Sequence, residues 1–240
     1  MRLYDKYRPK SLKDIVGQPP VAFLKLIAQD PYPCCLLLEG APGTGKTASA
    51  LALAHELGCY DSETWPDEDE PLYSMGGCTG LFKINGSELS VDAAKTMLNQ
   101  TLRFRYGSKS GFNVLVIEEL EWLSRQCQVF LKTALETSLP KNVIVIGTSN
   151  DASGLGKPLL QRFKQYYFQA SQTFVEQALD RMRAIWISEV GSDHNMPSDL
   201  SMEEMGNDDG EFSLRRALDK LQDTINVLHG MKQHAHRVLN

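Results

Sequence analysis

The sequence predicts an α/β fold: a parallel, five-stranded sheet sandwiched by helices, followed by a small all-helical domain. Three observations lead there. Five short apolar runs are spread over the first 170 residues. Helical patterns alternate with those runs, which implies parallel strands joined by crossover helices. After Ala170 the strand-like runs stop and only helical spacing continues.

The five runs are CCLLLE at 34–39, LFKI at 81–84, NVLVIE at 113–118, NVIVIG at 142–147 and QYYF at 165–168. They are rich in Val, Ile, Leu and aromatic residues and too continuous for one-sided exposure, so all five are expected to be buried. The Ala/Leu-rich segment after Lys46 reads as a helix that stops at Gly58. Val91, Ala94, Leu98, Thr101 and Leu102 form one face of a second helix, and Cys127, Leu131, Ala134 and Leu135 one face of a third. Beyond residue 170, Phe174, Ala178, Met182 and Ile185 lie at helical spacing. Ser201 and Glu204 make a capping box for a short helix. Leu214, Ala217, Leu218, Leu221, Ile225 and Leu228 form a long stripe on a final one. The expected division is an α/β core over 1–170 and a helical domain over 171–240. An acidic loop is inserted at about 60–78, with Trp65, Pro66 and Pro71 in it.

Composition narrows the classes. The chain has 240 residues, 42% hydrophobic and 23% charged, which argues against wholesale disorder. No apolar run approaches the roughly 20 residues a membrane helix needs. The opening MRLYDKYRPK has no apolar stretch behind its charges, so no secretory signal is read there. Five scattered Cys do not suggest a disulfide framework. The expected location is intracellular and reducing: cytoplasmic, or nuclear in a eukaryote. Net charge is −5, but fifteen acids sit in two stretches without Lys or Arg, between Lys46 and Lys83 and between Ala184 and Leu214. Setting those aside leaves 25 basic and 15 acidic residues, which allows a basic surface beside two acidic loops.

The strongest chemical signal is Gly40-Ala41-Pro42-Gly43-Thr44-Gly45-Lys46-Thr47, which matches G-x-x-x-x-G-K-[ST] between a predicted strand and a predicted helix that continues through Ala48. Its glycines permit backbone angles that turn successive N–H groups toward phosphates, and the helix N-terminus adds a favourable dipole. Lys46 would bridge the β- and γ-phosphates, and the Thr47 hydroxyl would bind Mg²⁺. Downstream, the run at 113–118 ends in the carboxylate pair Glu118 and Glu119. The end of a buried parallel strand faces the nucleotide crevice. Glu118 is expected to hold Mg²⁺ and Glu119 to act as the base on the attacking water. Glu121 is read as a surface residue.

With that pair in place the chain resembles the AAA+ ATPases, most closely the clamp-loader branch, over nearly its whole length. Tyr7-Arg8-Pro9, followed by Leu12, Asp14, Ile15, Val16, Gly17 and Gln18, is similar to a family box that packs against adenine. Thr148-Ser149-Asn150 is similar to sensor 1, which places Asn150 near the γ-phosphate. The segment Pro158–Phe163 resembles the one that carries the family's arginine finger, here Arg162. Ser213-Leu214-Arg215-Arg216-Ala217 resembles sensor 2, with Arg215 the better aligned and Arg216 the alternative. Phe130–Glu136 is similar to the helix that links DNA contact to the active site in clamp loaders, with Lys132 in the basic position. The resemblance implies ATP and Mg²⁺ as cofactors, an oligomer of like or unlike subunits, DNA as a partner, and a sliding clamp or another replication or recombination protein as a further one.

The physics agrees at several of these positions. Asn150 follows a strand expected to lie beside the acid-bearing one, so its amide can orient a water. Arg162 follows a Pro-containing loop, from which a guanidinium can reach a neighbour's γ-phosphate and stabilise developing charge. Arg215 opens a helix against the dipole, which suggests an anionic target. Some residues depart from the family pattern. Glu118 stands where the family has Asp, one methylene longer, which bears on turnover. Gln161 and Phe163 replace the Ser and Cys that flank the finger. Bacterial clamp loaders carry a four-Cys zinc module. Cys59, Cys78 and His55 are too few for it, so no zinc is expected. Almost no sequence follows the sensor-2 segment, so another chain is expected to supply the family's collar domain, or assembly runs through the ATPase domains alone.

Lys95, Asn99 and Arg103 fall at four-residue spacing opposite the apolar stripe, and Arg103-Phe104-Arg105-Tyr106-Gly107-Ser108-Lys109 follows. Basic residues interleaved with aromatics suit nucleic-acid contact. A solvated helix face is the competing reading, and Phe104 and Tyr106 fit a core equally well. Three functions stay open: a clamp-loader-like motor on DNA, another DNA-directed machine of this class such as a branch-migration motor or a transposition or replication regulator, and a slow ATP-bound switch subunit.

Overall fold

The computed structural model describes residues 2–60, 80–99, 101–103, 108–191, 196 and 212–238. All five expected strands form: β1 (Cys34–Gly40), β2 (Leu81–Asn85), β3 (Asn113–Glu118), β4 (Val143–Ser149) and β5 (Lys164–Phe168). They make one parallel sheet in the order β2-β3-β4-β1-β5. That order places the phosphate-loop strand β1 next to β4, and β4 next to the acid-bearing β3.

The helices are α1 (Leu3–Lys6), α2 (Pro20–Gln29), α3 (Lys46–Glu56), α4 (Val91–Asn99), α5 (Arg125–Thr137), α6 (Lys157–Leu160), α7 (Gln172–Val190) and α8 (Leu214–Val238). α5 and α7 start on serine caps: Ser124 accepts from the Cys127 N–H at 3.2 Å and Ser171 from the Phe174 N–H at 3.3 Å. The second predicted stripe is split, because α4 ends at Asn99 and Thr101–Arg103 is a separate 3-10 turn that carries buried Leu102.

Strand alternation sorts the sheet's apolar residues onto two sides. Leu37, Leu115, Ile117, Val143 and Val145 pack with α4 and α5, through Leu98, Leu131 and Leu135. Leu36, Leu38, Val114, Val116, Ile144 and Ile146 pack with α2 and α3, through Leu24, Leu51 and Leu53. A third cluster joins α7 and α8 through Phe174, Met182, Trp186, Leu221 and Ile225, and Leu3 of α1 belongs to it. The segment before α2 ties the two parts together. Gln18 exchanges hydrogen bonds with the backbone of Gln169 at 3.0 and 3.2 Å, and the Gly17 N–H donates to Gln177 at 2.7 Å. A Cβ on Gly17, at φ +59, would lie 2.2 Å from the Phe174 backbone, so only glycine passes there.

Two expectations need correcting. The fifth strand is an edge, not a buried strand: Lys164, Gln165 and Tyr167 are exposed. Lys164 guards it, its ammonium 3.9 Å from the centre of the Phe23 ring. α2 was not anticipated, although Pro20 at its first turn is a helix-start signal. The acidic insertion and the Ser201–Glu204 capping box lie outside the described residues.

Candidate functional site

The loop between β1 and α3 has the predicted character. Gly43 (φ +82) and Gly45 (φ +97) take left-handed backbone angles. A Cβ on Gly43 would lie 2.1 Å from the Ser213 hydroxyl, so the residue before α8 closes directly over the loop. Thr44 is buried and its hydroxyl donates to the Ala41 carbonyl at 2.8 Å. The Lys46 ammonium donates to the carbonyls of Gly40 at 2.6 Å and Ala41 at 2.9 Å, and to Asn150 Oδ1 at 3.0 Å. Lys46 is only 8% exposed, and this burial lowers its pKa to about 8; the Glu121 carboxylate opposes the shift.

The acids are arranged differently from the expectation. Glu118 Oε2 accepts from the Lys83 ammonium at 3.0 Å. Glu118 is therefore not a free metal ligand, as the sequence had suggested, but one half of a largely buried ion pair. Glu119 lines the site beside Lys46 and Asn150. Its Oε2 accepts from the Asn85 amide at 2.9 Å, and among the described residues it is the sole non-glycine with positive φ, at 54°. Such backbone strain concentrates at functional positions. Gly86 makes room for the acid pair: its N–H donates to the Glu118 carbonyl at 2.6 Å, and a Cβ there would meet the Glu119 carbonyl at 2.5 Å. Glu121 is not the surface acid expected. Its Oε1 accepts from the Asn150 N–H at 3.0 Å, and its carboxylate bears on Lys46.

Lys83 and Asn85 were missed at sequence level, yet a signal was present. Lys83 interrupts an apolar strand, and a buried ammonium requires a partner. Parallel register sets Lys83 beside Val116 and Asn85 beside Glu118, so all four lie on the α3 side of the sheet.

Two neighbouring concavities meet at this loop. One is lined by Tyr7, Arg8, Pro9, Ile15, Val16, Gly43, Thr44, Gly45, Thr47 and Ala48, with Arg181 and Arg215 from the helical domain. This is where the expected adenine-side residues gather; Arg181 was not foreseen. The second is lined by Pro42, Lys46, Thr47, Lys83, Glu118, Glu119, Asn150 and Arg215. Arg215 borders both, and its guanidinium donates to the Tyr4 hydroxyl at 3.0 Å and lies 4.8 Å from that ring's centre. Arg216 lines neither.

A nucleotide fits these residues, because the glycine loop and the buried Lys46 ammonium adjoin a slot with three arginines, and Thr47 and Arg215 line both concavities. Of the expected Mg²⁺ set, the Thr47 hydroxyl fits and Glu118 does not, since its charge is already answered by Lys83. Among the described residues no group of three or more His, Cys, Asp or Glu converges for another metal, and Cys78 lies outside them. The Cys59 thiol is buried, donates to the Phe112 carbonyl at 3.3 Å and is pushed up to about 12.

Arg162 does not project freely as expected. It is held by Glu136 of α5 at 2.5 Å, a pair 28% and 48% exposed. The basic residues do not form one run. Lys95 is exposed and pairs with Asp92 at 3.5 Å, Arg103 is exposed, and Lys132 is partly so. Lys109 packs instead against Gly58 after α3, on the opposite side of the sheet from α4. Arg105, with Phe104, Tyr106 and Gly107, lies outside the described residues.

Known proteins match this chain in sequence and in fold. A family model described as "ATPase family associated with various cellular activities (AAA)" matches residues 36–170. The replication factor C small subunit of Thermofilum pendens is 28% identical over 220 residues, which cover 91% of this chain and 61% of that protein. Replication factor C subunit 3 of Saccharomyces cerevisiae is 25% identical over 221 residues, 91% of this chain and 58% of that one. The chain thus spans about three fifths of the length of these relatives. Among solved structures, the Thermotoga maritima RuvB Holliday junction branch migration motor superposes with a TM-score of 0.63 at 19% identity, over 94% of this chain and 67% of that one. At that identity the likeness concerns the fold alone.

Proposed function

The chain belongs to the ATPase family associated with various cellular activities, and from that premise we propose that it binds and hydrolyses ATP as a clamp-loader-like subunit acting on DNA inside the cell. The observation that carries the reading is the convergence of Lys46, Asn150, Glu119 and Arg215 on one glycine loop. The similarity to replication factor C subunits over 91% of the chain supports the DNA-directed part.

In this reading the triphosphate lies along the Gly40–Thr47 amides, and the adenine rests between Tyr7, Ile15, Val16 and the helical domain. Lys46 exchanges its carbonyl partners for phosphate oxygens. Asn85 holds Glu119 so that its carboxylate takes the proton from a water, and Asn150 orients that water. A magnesium ion, when bound against Thr47 and the phosphates, supplies charge neutralisation. Within an oligomer, Arg162 of one copy leaves Glu136 and meets the phosphates held by the next. A partly exposed ion pair is worth about 0–1 kcal/mol, so little opposes that release. Lys95, Arg103 and Lys132 are the described candidates for phosphate-backbone contact. The Glu118–Lys83 pair favours a second reading, a slow ATP-bound switch subunit.

The test is phosphate release with and without primed DNA, followed alongside ATP-dependent sizing. DNA-stimulated release together with a larger assembly in ATP is the expected outcome. Release no faster than that of a Lys46→Ala variant would support the switch reading instead.

A further inference from the structure

We propose that Lys83 is the built-in counter-ion of Glu118, so that ATP binds this site without depending on a divalent cation. The inference rests on the nucleotide reading above and adds a property to it. The Lys83 and Glu118 side chains are 6% and 18% exposed, with Nζ and Oε2 3.0 Å apart. Both line the concavity that also holds Lys46 and Thr47.

An ionised carboxylate beside a triphosphate repels it and recruits a metal ion to relieve that repulsion. Here the relief is covalently tethered. The ammonium makes the pair formally neutral, so Glu118 adds no net charge to oppose the phosphates, and the Glu119 carboxylate in the same concavity is set against Lys46 and Arg215. A metal ion that used Glu118 would have to displace Lys83, whose side chain is almost wholly shielded from water. Separating a buried pair leaves an uncompensated charge and is strongly unfavourable. Lys83 therefore also works against metal coordination at Glu118. It is a positioning residue, acting on the nucleotide through Glu118.

The experiment is titration of a fluorescent ribose-labelled ATP into the whole chain, in excess magnesium and in EDTA. The wild-type dissociation constants should agree within about threefold. Glu118→Gln keeps an acceptor for Lys83 but turns the neutral pair into a net cation beside the phosphates, so it should tighten binding in EDTA by about tenfold. Lys83→Met should weaken binding in EDTA at least tenfold, with magnesium restoring it, while Lys83→Arg behaves as wild type. If Lys83→Met fails to fold by thermal melting, the Glu118→Gln result decides alone. Wild-type binding that collapses in EDTA, or a Glu118→Gln variant weakened in magnesium and unchanged in EDTA, would overturn the proposal. Loss of wild-type binding in both conditions would overturn the nucleotide reading itself.

Discussion

Burial places the Lys46 ammonium near pH 8, and this makes nucleotide binding a proton-linked event. With a value of about 8, roughly one site in ten is neutral at pH 7, half at pH 8 and nine in ten at pH 9. The folded value lies below the ordinary 10.5, so the unfolded chain binds more protons between the two. The contribution of Lys46 to stability is thus present above the unfolded value and is lost as pH falls through about 8. At neutral pH the buried charge opposes folding by roughly 3 kcal/mol. Triphosphate oxygens answer that charge and draw the proton back. Binding at pH 8 should therefore take up about half a proton per ATP. Calorimetry in HEPES and in Tris, which differ in ionisation enthalpy, measures it. The nucleotide does not confuse the reading, because a phosphate with a second pKa of about 6 is already ionised there. A Lys46→Arg variant stays protonated and should show no uptake. Absence of uptake in the wild type, or equal uptake in Lys46→Arg, would refute the reasoning.

Further outcomes follow from the same contacts. Asn85→Ala frees Glu119 from its amide; turnover should fall about tenfold with ATP affinity unchanged, as measured by phosphate release and direct binding. Arg162→Ala should cost under about 1 kcal/mol by thermal melting, because its pair with Glu136 is partly exposed, yet reduce turnover of the assembly about a thousandfold. A large loss of stability with turnover retained would mark Arg162 as a purely structural tie to α5. Arg215→Ala should weaken ATP binding roughly tenfold and Arg216→Ala hardly at all, since of these two only Arg215 borders the nucleotide cavities.

Strand identity was readable from the sequence because it depends on local apolar runs. The run at 34–39 became Cys34–Gly40, and the run at 142–147 became Val143–Ser149. The phosphate loop was readable for a similar reason: its chemistry is carried by eight consecutive residues. Strand order is not local, so nothing in QYYF announced that β5 would form an edge with Lys164, Gln165 and Tyr167 in solvent. The partners of the acids were hidden for the same cause. Lys83 and Asn85 meet Glu118 and Glu119 only through the β2–β3 register. Glu121 was misjudged because the 3-10 turn after β3 swings it back toward the Asn150 N–H. Alignment already favoured Arg215 over Arg216, and the placing of α8 over the loop is what sets Arg215 at both concavities.

The account's central claim is that one copy grips ATP and the next completes the site. Mixing two inactive variants tests it most directly. Glu119→Gln lacks the base, and Arg162→Ala lacks the guanidinium that is offered across the interface. In a randomly mixed assembly about one interface in four joins an intact base to an intact guanidinium, so phosphate release should recover to about a quarter of wild type. A mixture as inactive as either variant alone, although both still bind ATP and co-assemble, would contradict the account.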